Sequence, residues 1–487
     1  MSARRAGVLL TLALCAATVV RAQGTGRCDI ELRPANDSTR LTSTTSTPNG
    51  PRNVFVGGRV EARCLNQDVR LLADSAEWYQ GAQVLYLIGH VRYTEPRVRV
   101  TSDQMNYFQV DERLVATGNV EATLPSGSIM RGPQATYFRA VKGFRPTSRL
   151  EAIQRPRLWL AQRDSSGRAS EPVQMTANQM TTENDSLVYA GGSVEITRSD
   201  LDAQSDSAFL DSGNGLARLM RRPVVLGKGE RSYTLHADQM ELYTRNRLVQ
   251  RVLSQGGARA TSGDMLLTGD TIDLRVDENK AQAAYIWGKS RARAVSPDRD
   301  LLADSLAVRM PNQLLHEVRA FRLAVATTMP DTANIRSGEK DWLKGDTIFA
   351  YFDSLPPRPA ASADTATAKP KLRELQAIGH SSARYQMATQ TSTPERPGIN
   401  YSRGDRITVT MDTSGVSRVQ IDEHAVGLYL EPVRDSTLLP LDVQPQPDST
   451  TPPGSPTVPT PVKPTPPATR PAAKPAATVP RTTPARP

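Results

Sequence analysis

The stretch ADSAEWY at residues 73–79 contains the pattern that decides the fold: a small residue, then Asp, then apolar residues two and four positions later. In an extended strand, residues two apart point to the same face, so Ala76 and Trp78 form an apolar stripe. The same pattern returns along the chain, which indicates a repeated structural unit. Its copies are led by Asp74, Asp103, Asp206, Asp238, Asp270, Asp304, Asp346 and Asp405, with Asn178 in the Asp place of a weaker copy.

A second half-motif follows the Asp copies of the early units. It is a Gly with apolar residues two and four positions on, as in Gly89 with Val91 and Tyr93. Each unit is therefore predicted to be two antiparallel strands joined by a polar turn, and stacked units would merge their stripes into one apolar interior. We expect the Asp in the turn before its strand, where its carboxylate can accept backbone N–H groups, and the Gly at a positive φ or a bulge.

The two ends of the chain differ from this repeat. Residues 1–22 are typical of a secretory signal peptide, because Arg4 and Arg5 precede an apolar run at 6–20. An alternative is a lipoprotein signal with Cys15 as the modified residue. Residues 23–50 are polar and are predicted to be a flexible arm, and residues 433–487 form a Pro/Thr/Ala-rich tail that is predicted to be disordered.

Composition narrows the class of function. If the signal is removed, Cys28 and Cys64 remain, and in an exported chain they are predicted to form a disulfide, the alternative being two unpaired thiols. The net charge of +10 suits an anionic partner, and no nucleic-acid module is visible. The scattered histidines and the long Asp spacing do not fit a metal site, and no nucleophile elbow or phosphate-binding loop occurs. We therefore predict a non-enzyme without cofactor or metal.

ADSAEWY with GHVRY (89–93), SDQMNYF (102–108) with GNVEA (118–122), and ADQMELY (237–243) resemble the OstA-like repeats of the periplasmic lipopolysaccharide-transport family. This family includes LptA, LptC and the N-terminal domain of LptD. The resemblance implies an all-β, antiparallel β-jellyroll or β-taco repeat array, in one jellyroll or two stacked ones. It is closest over 51–265. Residues 266–432 hold more degenerate repeats with an insertion at 354–370, and they lose bulk at Ser290, Ala292, Ser381 and Ala383.

The resemblance also implies a function. The chain would be periplasmic, associated with the outer membrane, and would carry the acyl chains of lipopolysaccharide or a related glycolipid in its interior. Its expected partners are other bridge proteins and an outer-membrane assembly protein at open sheet edges, with a head-to-tail homo-oligomer as a further expectation. The expected groove residues are Ala76, Trp78, Val91, Tyr93, Met105, Tyr107, Val120, Ala122, Val194, Ile196, Met240, Leu242, Ile272 and Leu274. The expected contacts to lipid A phosphates are Arg92, Arg97 and Arg99. The alternative function is an exported structural or adhesive β-solenoid with a dry interior.

Overall fold

The computed structural model describes residues 27–432 except 35–38, 46, 164–168, 229–231, 246–247, 331–333, 354–369, 390–391 and 413–414. The expected signal peptide at 1–22, the expected tail at 433–487 and nearly all of the insertion at 354–370 lie outside the described residues.

The described chain forms one 30-stranded antiparallel sheet. The first strands are β1 (Ile30–Pro34), β2 (Arg40–Thr45), β3 (Arg52–Cys64), β4 (Arg70–Tyr79), β5 (Val84–Glu95), β6 (Val98–Phe108), β7 (Arg113–Thr123), β8 (Ile129–Phe138), β9 (Arg149–Ile153) and β10 (Arg157–Arg163). The middle strands are β11 (Ala169–Thr176), β12 (Gln179–Glu183), β13 (Leu187–Thr197), β14 (Leu201–Asp211), β15 (Leu216–Met220), β16 (Val224–Gly227), β17 (Tyr233–His236), β18 (Gln239–Arg245) and β19 (Leu248–Ser262). The last strands are β20 (Met265–Asp277), β21 (Lys280–Trp287), β22 (Ala292–Ser296), β23 (Arg299–Ala303), β24 (Ser305–Arg309), β25 (Glu317–Thr328), β26 (Asp341–Asp353), β27 (Lys371–Met387), β28 (Gly398–Asp412), β29 (Gly415–Asp422) and β30 (Val426–Leu430).

A single 3₁₀ turn at Pro311–Gln313 is the only helical element of the described residues. No helix in these ranges is long and apolar enough to cross a membrane. The prediction of an all-β, antiparallel, jellyroll-like fold is therefore confirmed. The sheet also continues across the boundary expected at residue 265, because β19 and β20 form a hairpin that pairs Ser262 with Met265.

Each long strand bends near its centre, at a point we call the corner. In β5 the corner is Gly89–His90, whose φ angles are 78° and 44°, and the pairing of β4 with β5 shifts register there. Consequently 75–79 pair with 84–88 on one side of the corner, and 70–72 pair with 92–94 on the other. We call the strand segments that follow Asp and precede Gly the first layer, and the remaining segments the second layer. Where strands are short, two successive strands such as β9 and β10 occupy the two layers.

The two layers face each other and share one core. The rings of Tyr93 in the second layer and Tyr137 in the first lie 6.1 Å apart, and both side chains are buried. The turns that join first-layer segments, such as the β4–β5 turn, form one edge of this folded sheet, the first lip. The turns that join second-layer segments, such as the β5–β6 turn, form the opposite edge, the second lip.

The repeated Asp lies at the corner and not in a turn, so that expectation was wrong. Asp74 is within β4, because the inward alternation already begins at Leu71 and Ala73. The prediction for Gly89 is confirmed, since it has a positive φ and lies where the pairing shifts. An ideal Cβ on Gly89 would lie 2.4 Å from Oδ2 of Asp74. The carboxylate thus packs directly on the glycine of the following strand.

A polar side chain after the corner glycine completes this contact. Nδ1 of His90 lies 2.6 Å from Oδ2 of Asp74, and the hydrogen bond raises the pKa of His90. Later corners repeat the hydrogen bond, and at Asp206 and Asp405 the partner follows Met220 or Glu423 instead of a glycine. The other pairs are Asp103 with Asn119 (2.9 Å), Asp206 with Arg221 (2.9 Å), Asp346 with His380 (2.8 Å) and Asp405 with His424 (2.9 Å).

The N-terminal segment expected to be a flexible arm is partly a strand pair. β1 pairs with β3 from Ile30–Cys64 to Pro34–Val60, and β2 pairs with the other half of β3. The expectation is therefore wrong for Ile30–Pro34 and Arg40–Thr45. The predicted disulfide between Cys28 and Cys64 is confirmed, with a Cα–Cα distance of 5.0 Å. It holds the start of β1 against the end of β3.

The corner contact predicts a large cost for adding a methyl group at Gly118. Its φ is +77°, and an ideal Cβ would lie 2.4 Å from Oδ2 and 2.9 Å from Cβ of Asp103. Gly118→Ala should lower the free energy of unfolding by about 3 kcal/mol, from left-handed strain plus overpacking. Gly143→Ala is the matched control, since its φ is +79° with nothing within 4 Å, and it should cost about 1 kcal/mol. Urea unfolding measures both, and equal losses would contradict a packed corner.

Candidate functional site

The interior can be followed along one continuous row of inward-facing residues in the second layer. Each member pairs with the next across the sheet, so the row compares equivalent positions of successive strands. In the early hairpins its members are Leu71, Tyr93, Val100, Ala122, Met130, Leu158, Met175 and Ile196. All of these side chains are buried. Most of them are large, and none of them lines the cavity found farther along the chain.

The same row loses bulk in the later hairpins. Its members there alternate between Ala and Leu: Ala260, Leu267, Ala294, Leu301, Ala326, Leu343 and Ala383. Small residues of the first layer, Ala284 and Ala350, also face this region. Because neither layer supplies enough side-chain volume, a cavity of about 1130 Å³ remains between them. Typical small-molecule pockets have roughly 300–1,000 Å³.

The walls of this cavity are mainly aliphatic. The first layer contributes Leu274, Val318, Leu375, Val409 and Val419, in addition to its alanines. The first lip adds apolar side chains at the cavity's edge, among them Met310, Leu315 and Phe352. No group of three or more metal-ligating side chains occurs within the described ranges. The aliphatic walls are therefore suited to contact with an apolar ligand.

The second lip borders the cavity with polar turns. The β22–β23 turn, 296–300, carries Arg299, whose Nη2 lies 3.2 Å from Oδ2 of Asp298. Farther along the lip, Gln386 donates to Oδ1 of Asp341 from its backbone N–H (3.0 Å) and from Nε2 (3.1 Å). Burial raises the pKa of the Asp341 carboxyl, and these two bonds oppose the shift. One edge of the cavity is thus apolar and the other polar.

The early interior is closed at the lips by a buried network centred on Arg139. Nη1 of Arg139 lies 2.6 Å from Oε2 of Glu112, and Nε lies 3.3 Å from Oε2 of Glu95. A third contact joins the guanidinium to Gln67. Glu112 follows β6 at the first lip, whereas Glu95 and Gln67 lie at the second. The guanidinium therefore ties the two lips together.

Three tyrosines extend this closing network into the core. Tyr107 donates to Glu112 (2.5 Å), Tyr93 donates to Glu95 (3.0 Å), and Tyr137 also donates to Glu95. Burial raises the pKa of Tyr107 and Tyr137, so both hydroxyls stay protonated and keep donating. The network therefore places buried polar and charged groups between the lips at these hairpins.

The expected groove residues all face the interior, but the structure separates them into two groups. Leu274 lies on the cavity wall. The others do not line the cavity: Ala76, Trp78, Val91, Tyr93, Met105, Tyr107, Val120, Ala122, Val194, Ile196, Met240, Leu242 and Ile272. The expected phosphate contacts Arg92, Arg97 and Arg99 are exposed on the β5–β6 hairpin, which contributes nothing to the cavity. The cavity therefore begins near the end of the best-matching part, at Ser232, and lies mostly in the degenerate repeats after residue 265.

Sequence reasoning did not predict the cavity or the closing network around Arg139. A usable indication existed for the cavity, because Ala383 and Ala292 were already noted as small at positions where bulk was expected. Continuing that comparison to Ala260, Ala294 and Ala326 would have located it. No comparable sequence pattern predicts the closing network. Arg139 and Gln67 are 72 residues apart and both lie outside the repeated motif.

The difference in packing can be tested by making one substitution in both interiors. Ala326→Leu adds methyl groups into the cavity and should leave the free energy of unfolding within about 1 kcal/mol of the parent. Ala122→Leu adds the same groups where Val100 and Met130 already fill the space, and should lower it by about 1–3 kcal/mol. Chemical unfolding measures both changes. Equal destabilisation of the two variants would mean that the later interior has no room.

Comparison with known proteins assigns no family. No family model matches this chain, and no curated protein is similar to it in sequence. Function must therefore be argued from the cavity, its two unlike edges and the closed early hairpins.

Proposed function

We propose that this protein is an exported, periplasmic carrier that binds lipopolysaccharide or a related glycolipid without covalent chemistry. The observation that carries the proposal is the apolar cavity of about 1130 Å³ between the layers of the later hairpins. Each methylene moved from water into such a space contributes about 0.8 kcal/mol. An acyl chain therefore gains more from this cavity than a polar metabolite of similar size.

The unlike edges of the cavity support an amphiphilic ligand. Acyl chains fit between the aliphatic walls, where Leu274, Val318 and Leu375 face Leu301 and Leu343. The polar second lip gives a headgroup access to water and to hydrogen-bonding groups, which a closed apolar core would deny it. The contacts first expected at Arg92, Arg97 and Arg99 do not belong to this site.

The free ends of the sheet support the proposed protein partners. Among the described strands, β30 pairs with β28 alone, and its side chains Val426 (64% exposed) and Leu428 (57%) are open to solvent. β2 likewise pairs only with β3 among these strands. Unpaired edges are sites where another strand can add. We propose that bridge proteins, an outer-membrane assembly protein or a second copy dock at these edges.

A structural scaffold with a dry interior is the second candidate function. It is favoured by the early hairpins, where large buried residues such as Tyr93, Met130 and Leu158 lie between the layers and do not line the cavity. In this alternative the later cavity would be a packing defect without an occupant. A cavity of this size lined by aliphatic side chains is destabilising unless something fills it, which argues for a ligand.

Photo-crosslinking distinguishes the two candidates with a matched pair of positions on β26. Phe352 lines the cavity, whereas Phe349 on the same strand faces outward, where Arg319 lies over its ring. Benzoylphenylalanine keeps the phenylalanine ring at either site and extends it by a benzoyl group. We expect the full chain to crosslink lipopolysaccharide from position 352 and not from 349. Absence of a crosslink at 352 in the folded protein would rule out the carrier.

A further inference from the structure

The interior row is continuous from Leu71 to Ala383, so backbone geometry alone would allow a bound chain to run the whole length of the fold. Side-chain volume and buried charge, however, block such a path in the early hairpins. The residues that line the cavity lie between Ser232 and Val419 in the sequence. Nothing from β3 to β10 lines it. The access route of a ligand therefore depends on what closes the early hairpins.

The closure is electrostatic as well as steric. Glu112 is fully buried and Arg139 is 4% exposed, and their ion pair lies over the tyrosine tips of the early core. An acyl chain that entered here would have to separate this pair in surroundings without water. Separating a buried ion pair leaves uncompensated charge in a low-dielectric interior, which is strongly unfavourable. A hydrocarbon offers no replacement hydrogen bonds.

The disulfide is part of the same closure. The backbone N–H of Cys28 donates to Oε1 of Glu112 at 2.6 Å, and Nε2 of Gln109 donates to the Cys28 carbonyl at 3.2 Å. Cys28 is held in place by its bond to Cys64 on β3. The segment just before β1 thus supplies a backbone donor to the buried carboxylate of Glu112. We call Cys28, Cys64, Glu112 and Arg139 together the clasp.

A second connection joins the lips between the clasp and the cavity. Ser126, in the β7–β8 turn of the second lip, donates from its backbone N–H and its hydroxyl to Asp185, and the hydroxyl distance is 2.9 Å. Asp185 lies in the β12–β13 turn of the first lip, and burial raises the pKa of its carboxyl. The lips are therefore bonded to each other at two separate places before the cavity begins.

We propose that the lipid route through this protein is one-ended. The early hairpins are a fixed plug held by the clasp, so an acyl chain enters and leaves through the later hairpins and does not pass along the sheet to the N-terminal edge. The inference rests on the proposed function, since it concerns the path of the same ligand. The protein would therefore bind and release its lipid at the same end of the sheet. It would not be a segment of a channel that is open at both ends.

Labelling with a photoreactive lysophospholipid that carries a diazirine on its acyl chain tests this in the full chain. After irradiation, labelled peptides are mapped by mass spectrometry, and labelling removed by excess unmodified lipid is counted. We expect labels on inward residues between 232 and 419 and none on inward residues of β3–β10. Labels in both regions would overturn the one-ended route while leaving the carrier intact. No competed label anywhere would overturn the carrier itself.

Opening the clasp provides the complementary test. The variant Cys28→Ser/Cys64→Ser/Arg139→Met removes the disulfide and the guanidinium, and Arg139→Met with the disulfide retained is the milder form in case the triple variant does not fold. We expect the open variant to gain labels at Met105 and Met130 while the labels between 232 and 419 stay. If a folded clasp variant gains no early label, the clasp does not close the plug.

Discussion

The contact between an aspartate carboxylate on one strand and the glycine corner of the next bends the sheet into two layers. At Asp74 and Gly89, and again at Asp103 and Gly118, the carboxylate occupies the space that a Cβ would need. The positive φ at the corner turns the strand, and the polar side chain after it, His90 or Asn119, satisfies the carboxylate. Because the contact recurs with a similar spacing, successive hairpins bend at corresponding places and the inward residues align in rows. The interior, the lips and the cavity all follow from that alignment.

Once the corners are fixed, the space left between the layers depends mainly on side-chain volume. The second-layer row has Tyr93, Met130 and Leu158 in the early hairpins and Ala294, Ala326 and Ala383 in the later ones. One architecture thus produces a solid section and a hollow one. The solid section is further held by charge, through Arg139 and Glu112, whereas the hollow one has an aliphatic edge and a polar edge. The proposed carrier function and the one-ended route are consequences of this division.

The sequence predicted the features that depend on local alternation. The +2 and +4 pattern after Asp and Gly correctly placed Val91, Tyr93 and Met105 inside and identified the two-stranded unit. It could not place Asp74 at a corner, because the motif begins at the Asp and hides the strand segment before it. It also could not show that Ala326 and Ala350 leave space between them, since residues on opposite layers are related by strand register and not by spacing. The closing network could not be predicted either, because its partners are also brought together by strand register and not by sequence spacing.

Xenon binding tests the division between a filled and a hollow interior most directly, because apolar cavities take up xenon and packed cores do not. Crystals of the full chain would be exposed to xenon under pressure and the bound atoms located by their anomalous scattering. The account predicts xenon between the layers within residues 232–419, beside Ala326 and Leu343, and none between the layers of β3–β10. Xenon within the early hairpins, or a later interior that takes up none, would contradict it.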